Sequence, residues 1–202
     1  MLRKSQKIYL FFKRCFDLFG SMLGIILLSP VLLIATIVTK CTSKGPVFFK
    51  QYRPGKNEKP FLLLKFRSMK IDAAEIPPED MSIDDQSHMT TKWGHFMRKT
   101  SIDELPQLFN IFVGQMSFIG PRPSMMIDKE ERLVLARRAA TPCPYLVKPG
   151  LSGYAQIKMR RDHDVEEKAF YDSEYVRRMS FWFDLKIFVY SFLVLFGFAK
   201  GR

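Results

Sequence analysis

The longest apolar stretch of the chain runs from Leu18 to Thr39 without a formal charge. As one straight α-helix it would be roughly 33 Å long, which is enough to cross the hydrocarbon core of a bilayer. Ser29 and Pro30 lie near its middle, where a proline removes a backbone hydrogen bond and clashes with the preceding turn. The pattern therefore predicts a membrane segment, either a kinked spanning helix or a re-entrant helix broken at Ser29-Pro30.

Basic residues stand on both sides of this segment, so the positive-inside rule does not decide its orientation. They suit the anionic cytoplasmic leaflet, and a re-entrant helix would bring both groups to the same face. Within the first group, the spacing predicts that Arg14 pairs with Asp17. The basic residues are Arg3, Lys4, Lys7, Lys13 and Arg14 before the segment, and Lys40 and Lys44 after it.

Beyond the membrane segment, the pattern changes to short elements. Apolar-aromatic runs predict two strands joined by a turn, at Val47–Tyr52 and Phe61–Phe66. Residues 71–90, with their prolines and acids, read as a surface loop. Helices are expected from Ile102 to about Val113, from Ser124 to about Arg138 and from Asp164 to about Arg178, the last two with acids early and arginines late.

The C-terminal segment is rich in aromatic residues and uncharged from Ile187 to Ala199. This length is short for a membrane span. It fits an interfacial helix with Trp182 and Tyr190 near the lipid headgroups, although an ordinary buried helix has the same pattern. We therefore expect an α+β, mostly helical protein with a membrane segment at 1–40, a catalytic domain at 41–180 and an amphipathic interfacial helix at 181–202.

Composition narrows the classes of function. Of the 202 residues, 47% are hydrophobic, which is enough for a packed core, and the formal net charge is +12. A basic surplus favours polyanionic partners without choosing among nucleotides, anionic lipids and nucleic acids. The three cysteines, Cys15, Cys41 and Cys143, lie far apart, so neither a disulfide framework nor a zinc site is expected.

Ser101-Ile102-Asp103-Glu104 admits two interpretations. As a capping box, Ser101 would cap a helix and Glu104 would return a hydrogen bond, with Asp103 favoured by the helix dipole. As a catalytic site, the helix N-terminus would keep a carboxylate such as that of Asp103 ionised and would attract phosphate, and the adjacent Asp103 and Glu104 could supply a nucleophile and a ligand for Mg²⁺. The residues alone permit both.

Several cations are candidates to bind phosphate. Arg122 lies in the stiff Gly120-Pro121-Arg122-Pro123 segment, and its planar guanidinium suits phosphate. Lys65 and Arg67 alternate with apolar residues, as on one face of a strand, and Arg160 follows a glycine-containing run. Each of them is equally compatible with simple solvation.

Taken together, these segments resemble the bacterial sugar transferases that initiate glycan assembly, the small monotopic polyprenol-phosphate phosphoglycosyl transferases. The resemblance covers nearly the whole chain. It is carried in order by KRCFD at Lys13–Asp17, Ser29-Pro30, GPVFFKQYRPG at Gly45–Gly55, KFRSM at Lys65–Met69, the run from Arg98 to Pro123, VKPGLSGYAQI at Val147–Ile157 and FDLKI at Phe183–Ile187.

The resemblance implies a ping-pong reaction in which Asp103 attacks the β-phosphate of a UDP-sugar and expels UMP. Polyprenol phosphate would then accept the phosphosugar. Glu104 would hold Mg²⁺, Arg122 would contact phosphate, Lys65 would lie near the active site, and Asp172 matches an acidic position of less defined role. The family's helix broken at Ser-Pro implies a re-entrant segment, with the active site on the cytoplasmic face of the bacterial inner membrane.

One departure affects nucleotide recognition, because Lys158-Met159-Arg160 stands where many relatives have Asn-Gly-Arg. Arg160 aligns with the arginine that is thought to hold the nucleotide. The expected partners are a UDP-sugar, polyprenol (undecaprenyl) phosphate and membrane lipids, and a homo-oligomer is compatible with the resemblance. A catalytically silent membrane scaffold is the alternative. Nucleic acid is not expected, since no recognition motif is present. The sequence does not identify the sugar.

Overall fold

The computed structural model describes residues 2–42, 44–70, 89–159 and 164–195. Helices dominate it, and strands form two small sheets, in agreement with the predicted α+β, mostly helical class. The helices are α1 (Lys4–Leu27), α2 (Ser29–Thr42), α3 (Lys92–Lys99), α4 (Gln107–Phe112), α5 (Glu131–Ala139), α6 (Tyr154–Lys158), α7 (Val165–Arg178) and α8 (Phe181–Leu195); the strands are β1 (Phe48–Pro54), β2 (Pro60–Phe66), β3 (Ser117–Ile119) and β4 (Gly150–Ser152).

The apolar N-terminal segment forms two helices with a bend of 61° between them. Pro30 has no N–H to donate to the carbonyl of Ile26, and the Ser29 hydroxyl donates to that oxygen instead, at 2.8 Å. The Ser-Pro pair therefore breaks the helix, while the Ile26 carbonyl still accepts a hydrogen bond. Within the described residues, no single helix has both the length and the apolar composition to cross a bilayer, whereas α1 and α2 together do.

Polar side chains of α1 dock it onto the rest of the protein. Arg14 donates to the carbonyls of Ile111 and Phe112, both at 2.7 Å, and so caps the C-terminus of α4. Asp17 accepts hydrogen bonds from the Ser117 hydroxyl and the Phe118 N–H, both at 3.0 Å. The predicted pairing of Arg14 with Asp17 is therefore wrong, because each side chain binds backbone or side-chain groups of the neighbouring elements.

The two predicted strands are confirmed as an antiparallel hairpin, β1 with β2. Phe49 pairs with Lys65, Gln51 with Leu63 and Arg53 with Phe61. Because paired residues share a face and alternate residues return to it, Arg53 lies on the same face as Lys65.

An asparagine of α4 joins that helix to the hairpin. Asn110 accepts from the Leu64 N–H at 3.0 Å and donates to the Leu62 carbonyl at 2.8 Å. Its amide therefore provides one hydrogen bond in each direction and fixes β2 beside the candidate catalytic turn.

Two of the three helices predicted beyond the hairpin differ from the expectation. Residues 102–104 form a 3₁₀ turn and α4 begins only at Gln107, after Pro106. The helix expected from Ser124 begins at Glu131. Upstream of it, the Glu130 carboxylate accepts the Met125 N–H at 2.5 Å, so an irregular turn precedes the helix. The third helix, α7, is confirmed, with Asp164 capping it through the Glu167 N–H at 2.9 Å.

The C-terminal helix α8 buries one side and exposes the other. Ile187 is fully buried in a core shared with Tyr175 and Val176 of α7, whereas Trp182 is 76% exposed. The buried Asp184 pairs with Lys13 of α1 and accepts from the Tyr9 hydroxyl at 2.7 Å. This polar cluster ties the first and last described helices together.

Candidate active site

The turn that carries Asp103 and Glu104 begins at a residue in an unfavourable backbone conformation. Ser101 has φ 56° and ψ 18°, the left-handed region that side-chain-bearing residues rarely occupy. In the turn as described, the Ser101 hydroxyl caps no N–H group. The capping-box interpretation is therefore wrong. Such strain persists only where the surroundings enforce it, and it is concentrated at functional sites.

The Glu104 side chain is held by two cations from different parts of the fold. Its Oε1 accepts from Lys65 Nζ of β2 at 2.9 Å and from Arg122 Nη2, which follows β3, at 2.6 Å. All three side chains are mostly buried. Burial opposes ionisation of Glu104, but the charges of Arg122 and Lys65 outweigh it and hold the pKa of Glu104 below its usual range.

At Lys65 the balance is reversed, because burial outweighs the neighbouring opposite charge. Burial lowers the pKa of Lys65 from its usual value, although the Glu104 carboxylate partly compensates. Of the two residues predicted to face one polar site, Lys65 contacts Glu104. Arg67 lies buried just after β2, where its N–H donates to the Val47 carbonyl at 2.9 Å.

Asp103 is 8% exposed, and its pKa is displaced upward, in the opposite direction to that of Glu104. Burial raises the pKa of Asp103, and the positive charges of Lys65, Arg98 and Arg122 offset this only in part, while Glu104 adds to it. The expectation that a helix N-terminus keeps Asp103 ionised is wrong, because a 3₁₀ turn and Pro106 separate it from α4. A metal cation bound beside Asp103, alone or together with a substrate phosphate, would favour the ionised, nucleophilic form of its carboxyl group.

The loop that carries Arg122 is fixed from behind by a buried ion pair. Arg137 of α5 donates to Asp172 Oδ2 of α7 from Nε at 3.0 Å and from Nη2 at 2.5 Å. Arg137 Nη2 also donates to the backbone carbonyl of Arg122 at 2.8 Å. Asp172 is only 1% exposed. It therefore lies behind the phosphate-binding candidate Arg122 rather than beside Asp103.

The remaining sequence candidates are placed as follows. Ser29 and Pro30 form the bend between α1 and α2. Arg160 lies outside the described residues. Sequence reasoning missed Arg137, which reads there as one of the arginines that end a helix. It also missed Arg53, whose place on the same hairpin face as Lys65 follows from the strand register.

The carboxylate oxygens are compatible with Mg²⁺. In the described part of the chain, no three His, Cys, Asp or Glu side chains cluster as a metal site. Both cation contacts of Glu104 use Oε1, so Oε2 and the Asp103 carboxylate can offer the hard oxygens that Mg²⁺ prefers. Two cations balance two carboxylates here, so a metal would need the added charge of a substrate phosphate.

Comparison with known proteins identifies the family. The model of the bacterial sugar transferase family matches residues 8–197, which is nearly the whole chain.

The chain belongs to the bacterial sugar transferase family. Among individual relatives, it is 42% identical over 181 residues to the UDP-glucose:undecaprenyl-phosphate glucose-1-phosphate transferase of Klebsiella pneumoniae, which covers 87% of this chain and 38% of that protein. It is 39% identical over 194 residues to the protein of the same name from Escherichia coli K12, which covers 93% of this chain and 40% of that protein.

The family resemblance expected from the motifs is confirmed. The chain spans about two fifths of the length of these two relatives. A sugar transferase of Bacillus subtilis, named as uncharacterized, is closer in size: it is 39% identical over 182 residues, which are 87% of this chain and 82% of that protein. Relatives of this family are named for more than one sugar. The relative from Aeromonas hydrophila is named as an N-acetylgalactosaminephosphotransferase; it is 35% identical over 188 residues, which are 89% of this chain and 42% of that protein.

Proposed function

We propose that this protein transfers a sugar-1-phosphate from a UDP-sugar to polyprenol phosphate and releases UMP. The observation that carries the proposal is the adjacency of a buried carboxylate, Asp103, to a carboxylate clamped by Lys65 and Arg122. The names of the family relatives support this class of substrate. The product would begin a bacterial glycan such as a capsule, O-antigen, exopolysaccharide or glycoprotein glycan.

In the first half-reaction, an Asp103 carboxylate oxygen attacks the β-phosphorus of the UDP-sugar. The bond from that phosphorus to the bridging oxygen breaks, and UMP leaves with the electron pair. Asp103 then carries the phosphosugar as an acyl phosphate. Arg122 and Lys65 lie within reach of the neighbouring Glu104 and would neutralise charge on the transferring group.

In the second half-reaction, a phosphate oxygen of polyprenol phosphate attacks the same phosphorus. The bond between phosphorus and the Asp103 oxygen breaks, so the carboxylate is regenerated and polyprenol diphosphate-sugar is released. This is covalent catalysis with two separable steps. Glu104 would hold Mg²⁺, which when bound neutralises phosphate charge.

A re-entrant membrane segment fits the reaction, because the acceptor phosphate lies at the membrane surface. The bend at Leu28 would let α1 and α2 enter and leave the membrane on the same face. Phe112 and Val113, soon after the catalytic turn, are also exposed and apolar. An exposed apolar surface of this extent is typical of a membrane-binding face. Its largest side chains are Phe11, Phe16, Phe19, Leu23, Ile26 and Leu27 on α1, Leu33, Ile34 and Ile37 on α2, and Trp182, Phe188, Val189 and Phe192 on α8.

We assign the site to the cytoplasmic face of the bacterial inner membrane, where nucleotide-activated sugars are available. The reduced state of three widely spaced cysteines and the basic flanks of the membrane segment agree with this placement.

Release of UMP from a panel of UDP-sugars tests the proposed function. The purified wild type, supplied with polyprenol phosphate and Mg²⁺, is expected to release UMP from at least one donor, and Asp103→Asn to lose at least about 10³-fold in rate. Lys50→Gln, on the exposed face of β1, serves as a matched surface control. Equal rates in wild type and Asp103→Asn would remove Asp103 as the nucleophile. An inactive wild type across the panel would favour the scaffold alternative.

A further inference from the structure

Arg53 lies on the hairpin face that also carries Lys65. The pairing of Phe49 with Lys65 places the two cations four strand positions apart, about 13 Å along β1 at the usual rise per residue. One end of this face therefore lies at the candidate catalytic pair, and Arg53 lies at the other end.

The guanidinium of Arg53 is largely buried but poorly compensated. Among the described residues, its one hydrogen bond runs from Nη1 to the Pro123 carbonyl at 3.5 Å, the long limit for such a bond. Arg53 Nε is buried without a hydrogen-bond partner among the described residues, and none of their carboxylates forms an ion pair with Arg53. A buried cationic donor without a hydrogen-bond acceptor costs free energy unless a ligand supplies the acceptor.

Neighbouring charges act on Arg53 in both directions. Burial lowers the pKa of Arg53 to about 10, the Glu130 charge partly offsets this, and the Arg122 charge adds to the lowering. Glu130 is itself engaged by the Met125 N–H. Arg53 nevertheless remains protonated at neutral pH, and its guanidinium lies at the Pro123 carbonyl, next to Arg122 in sequence.

A cleft opens beside these two arginines. Pro54 and Gly55, which directly follow Arg53, line it together with Arg122, Pro123 and Tyr145. The positive charges of Arg53 and Arg122 are close enough to act on each other, so together they favour an anion with more than one charged oxygen, and phosphate matches the planar fork of each guanidinium.

We propose that Arg53 binds the phosphate that leaves with the nucleotide. This rests on the proposed function: the β-phosphorus must lie at Asp103, and Lys65 and Arg122 reach the adjacent Glu104. The α-phosphate extends away from that point, toward the Arg53 end of the hairpin face. Arg122 would then lie between the phosphate that is transferred and the phosphate that is released with UMP.

Direct binding of UMP tests this assignment without requiring turnover. The full-length protein in lipid nanodiscs is titrated with UMP by calorimetry, as wild type, Arg53→Gln, Arg53→Lys and the control Lys50→Gln. Loss of a charged hydrogen-bonding contact predicts about 10–100-fold weaker binding for Arg53→Gln. Arg53→Lys should be weakened less, since it keeps the charge and loses the fork, and Lys50→Gln should bind like wild type.

A second measurement distinguishes phosphate binding from a general disturbance of the site. Arg53→Gln should raise the KM for the UDP-sugar, whereas transfer from a preformed Asp103 intermediate to polyprenol phosphate should keep its wild-type rate. Wild-type UMP affinity in Arg53→Gln, or a wild type that does not bind UMP, would overturn the inference. Normal UMP binding with the expected Arg53 effect but no turnover would contradict the proposed function and leave Arg53 as a nucleotide-phosphate ligand.

Discussion

At the residue scale, two adjacent carboxyl groups differ in their electrostatic surroundings. Burial raises the pKa of Asp103, while Arg122 and Lys65 outweigh burial at Glu104 and lower its pKa. Pairs of acids whose pKa values are pushed apart commonly divide two chemical roles between them. Here Glu104 is the permanently charged partner, and Asp103 is the group whose ionisation depends on what binds beside it.

This difference predicts opposite effects of neutral substitutions on stability. The pKa of Asp103 is raised in the folded state, so its contribution to stability is present below the unfolded pKa and lost as the pH rises through the folded pKa. Asp103→Asn should therefore raise Tm at pH 7. The gain should vanish near pH 3 to 4, around the ordinary aspartate pKa of about 3.9. Thermal unfolding across this pH range measures it, and a lower Tm for the variant at pH 7 would contradict it.

Glu104→Gln is the matched comparison. The folded-state pKa of Glu104 is lowered, so its stabilising contribution is present above the unfolded pKa of about 4.3 and is lost as the pH falls toward the folded pKa. At pH 7 the variant should be less stable by about 1–3 kcal/mol, since it weakens two charge-assisted hydrogen bonds. An unchanged Tm at pH 7 would show that the Lys65 and Arg122 contacts carry little energy.

The candidate catalytic residues could be found in the sequence because they lie in the short motifs that carry the family resemblance. Asp103, Glu104, Lys65 and Arg122 all belong to such motifs, and the fold brings the last three into direct contact. The direction of the Asp103 pKa could not be found in this way, because it depends on burial by distant segments. The same holds for Arg53, whose neighbours become visible only with the strand register.

At the element scale, the α5–α7 pair supports the loop that presents Arg122. Arg137 and Asp172 come from different helices and are almost fully buried, and Arg137 reaches the Arg122 carbonyl. A buried ion pair contributes little by itself, yet removing one member leaves a charge without compensation. The pair is therefore better understood as a device that positions the loop.

Removal of Arg137 separates these two roles. Arg137→Met should cost about 3–5 kcal/mol of unfolding free energy, and adding Asp172→Leu should restore most of it. The double variant should still release UMP slowly, because the Arg122 carbonyl has lost its donor and Arg122 is no longer held toward Glu104. Chemical unfolding and UMP release on the same samples measure this. Full activity in the stable double variant would rule out the positioning role.

The positions at which helices begin were the least predictable features of the fold from the sequence. Local pattern located α7 within one residue, because Asp164 is a good cap and the charges follow the dipole. Near the site, local pattern failed, because Pro106 separates the catalytic turn from α4 and the Glu130 carboxylate holds an irregular turn before α5. In both places, a local feature that the apolar pattern does not record interrupts the regular helix.

At the scale of the whole molecule, apolar surface and polar ties occupy the same helices. α1 presents aromatic side chains outward, while Arg14, Lys13 and Asp17 bind the globular part. In the proposed re-entrant arrangement, these contacts would fix the depth of the site relative to the membrane surface. The break at Ser29-Pro30 would then let the segment enter the bilayer and return.

The topology can be measured by cysteine accessibility in intact cells. Cys15, Cys41 and Cys143 are replaced by serine, and single cysteines are placed at Lys4 or Lys44, which are both exposed. A re-entrant segment predicts that an impermeant reagent reaches neither position until the membrane is permeabilised, and then reaches both. Labelling of one position in intact cells would place the two flanks on opposite faces and identify a spanning helix.

In the proposed reaction Asp103 becomes covalently attached to a phosphosugar, and mass spectrometry of the digested protein tests this step most directly. Wild-type protein is mixed with its UDP-sugar and Mg²⁺ in the absence of polyprenol phosphate, quenched and digested. A covalent intermediate predicts a mass increase equal to one phosphosugar on the peptide that contains Asp103, the loss of this increase on adding polyprenol phosphate, and its absence in Asp103→Asn. Turnover without such an adduct, or an adduct that persists in Asp103→Asn, would contradict it.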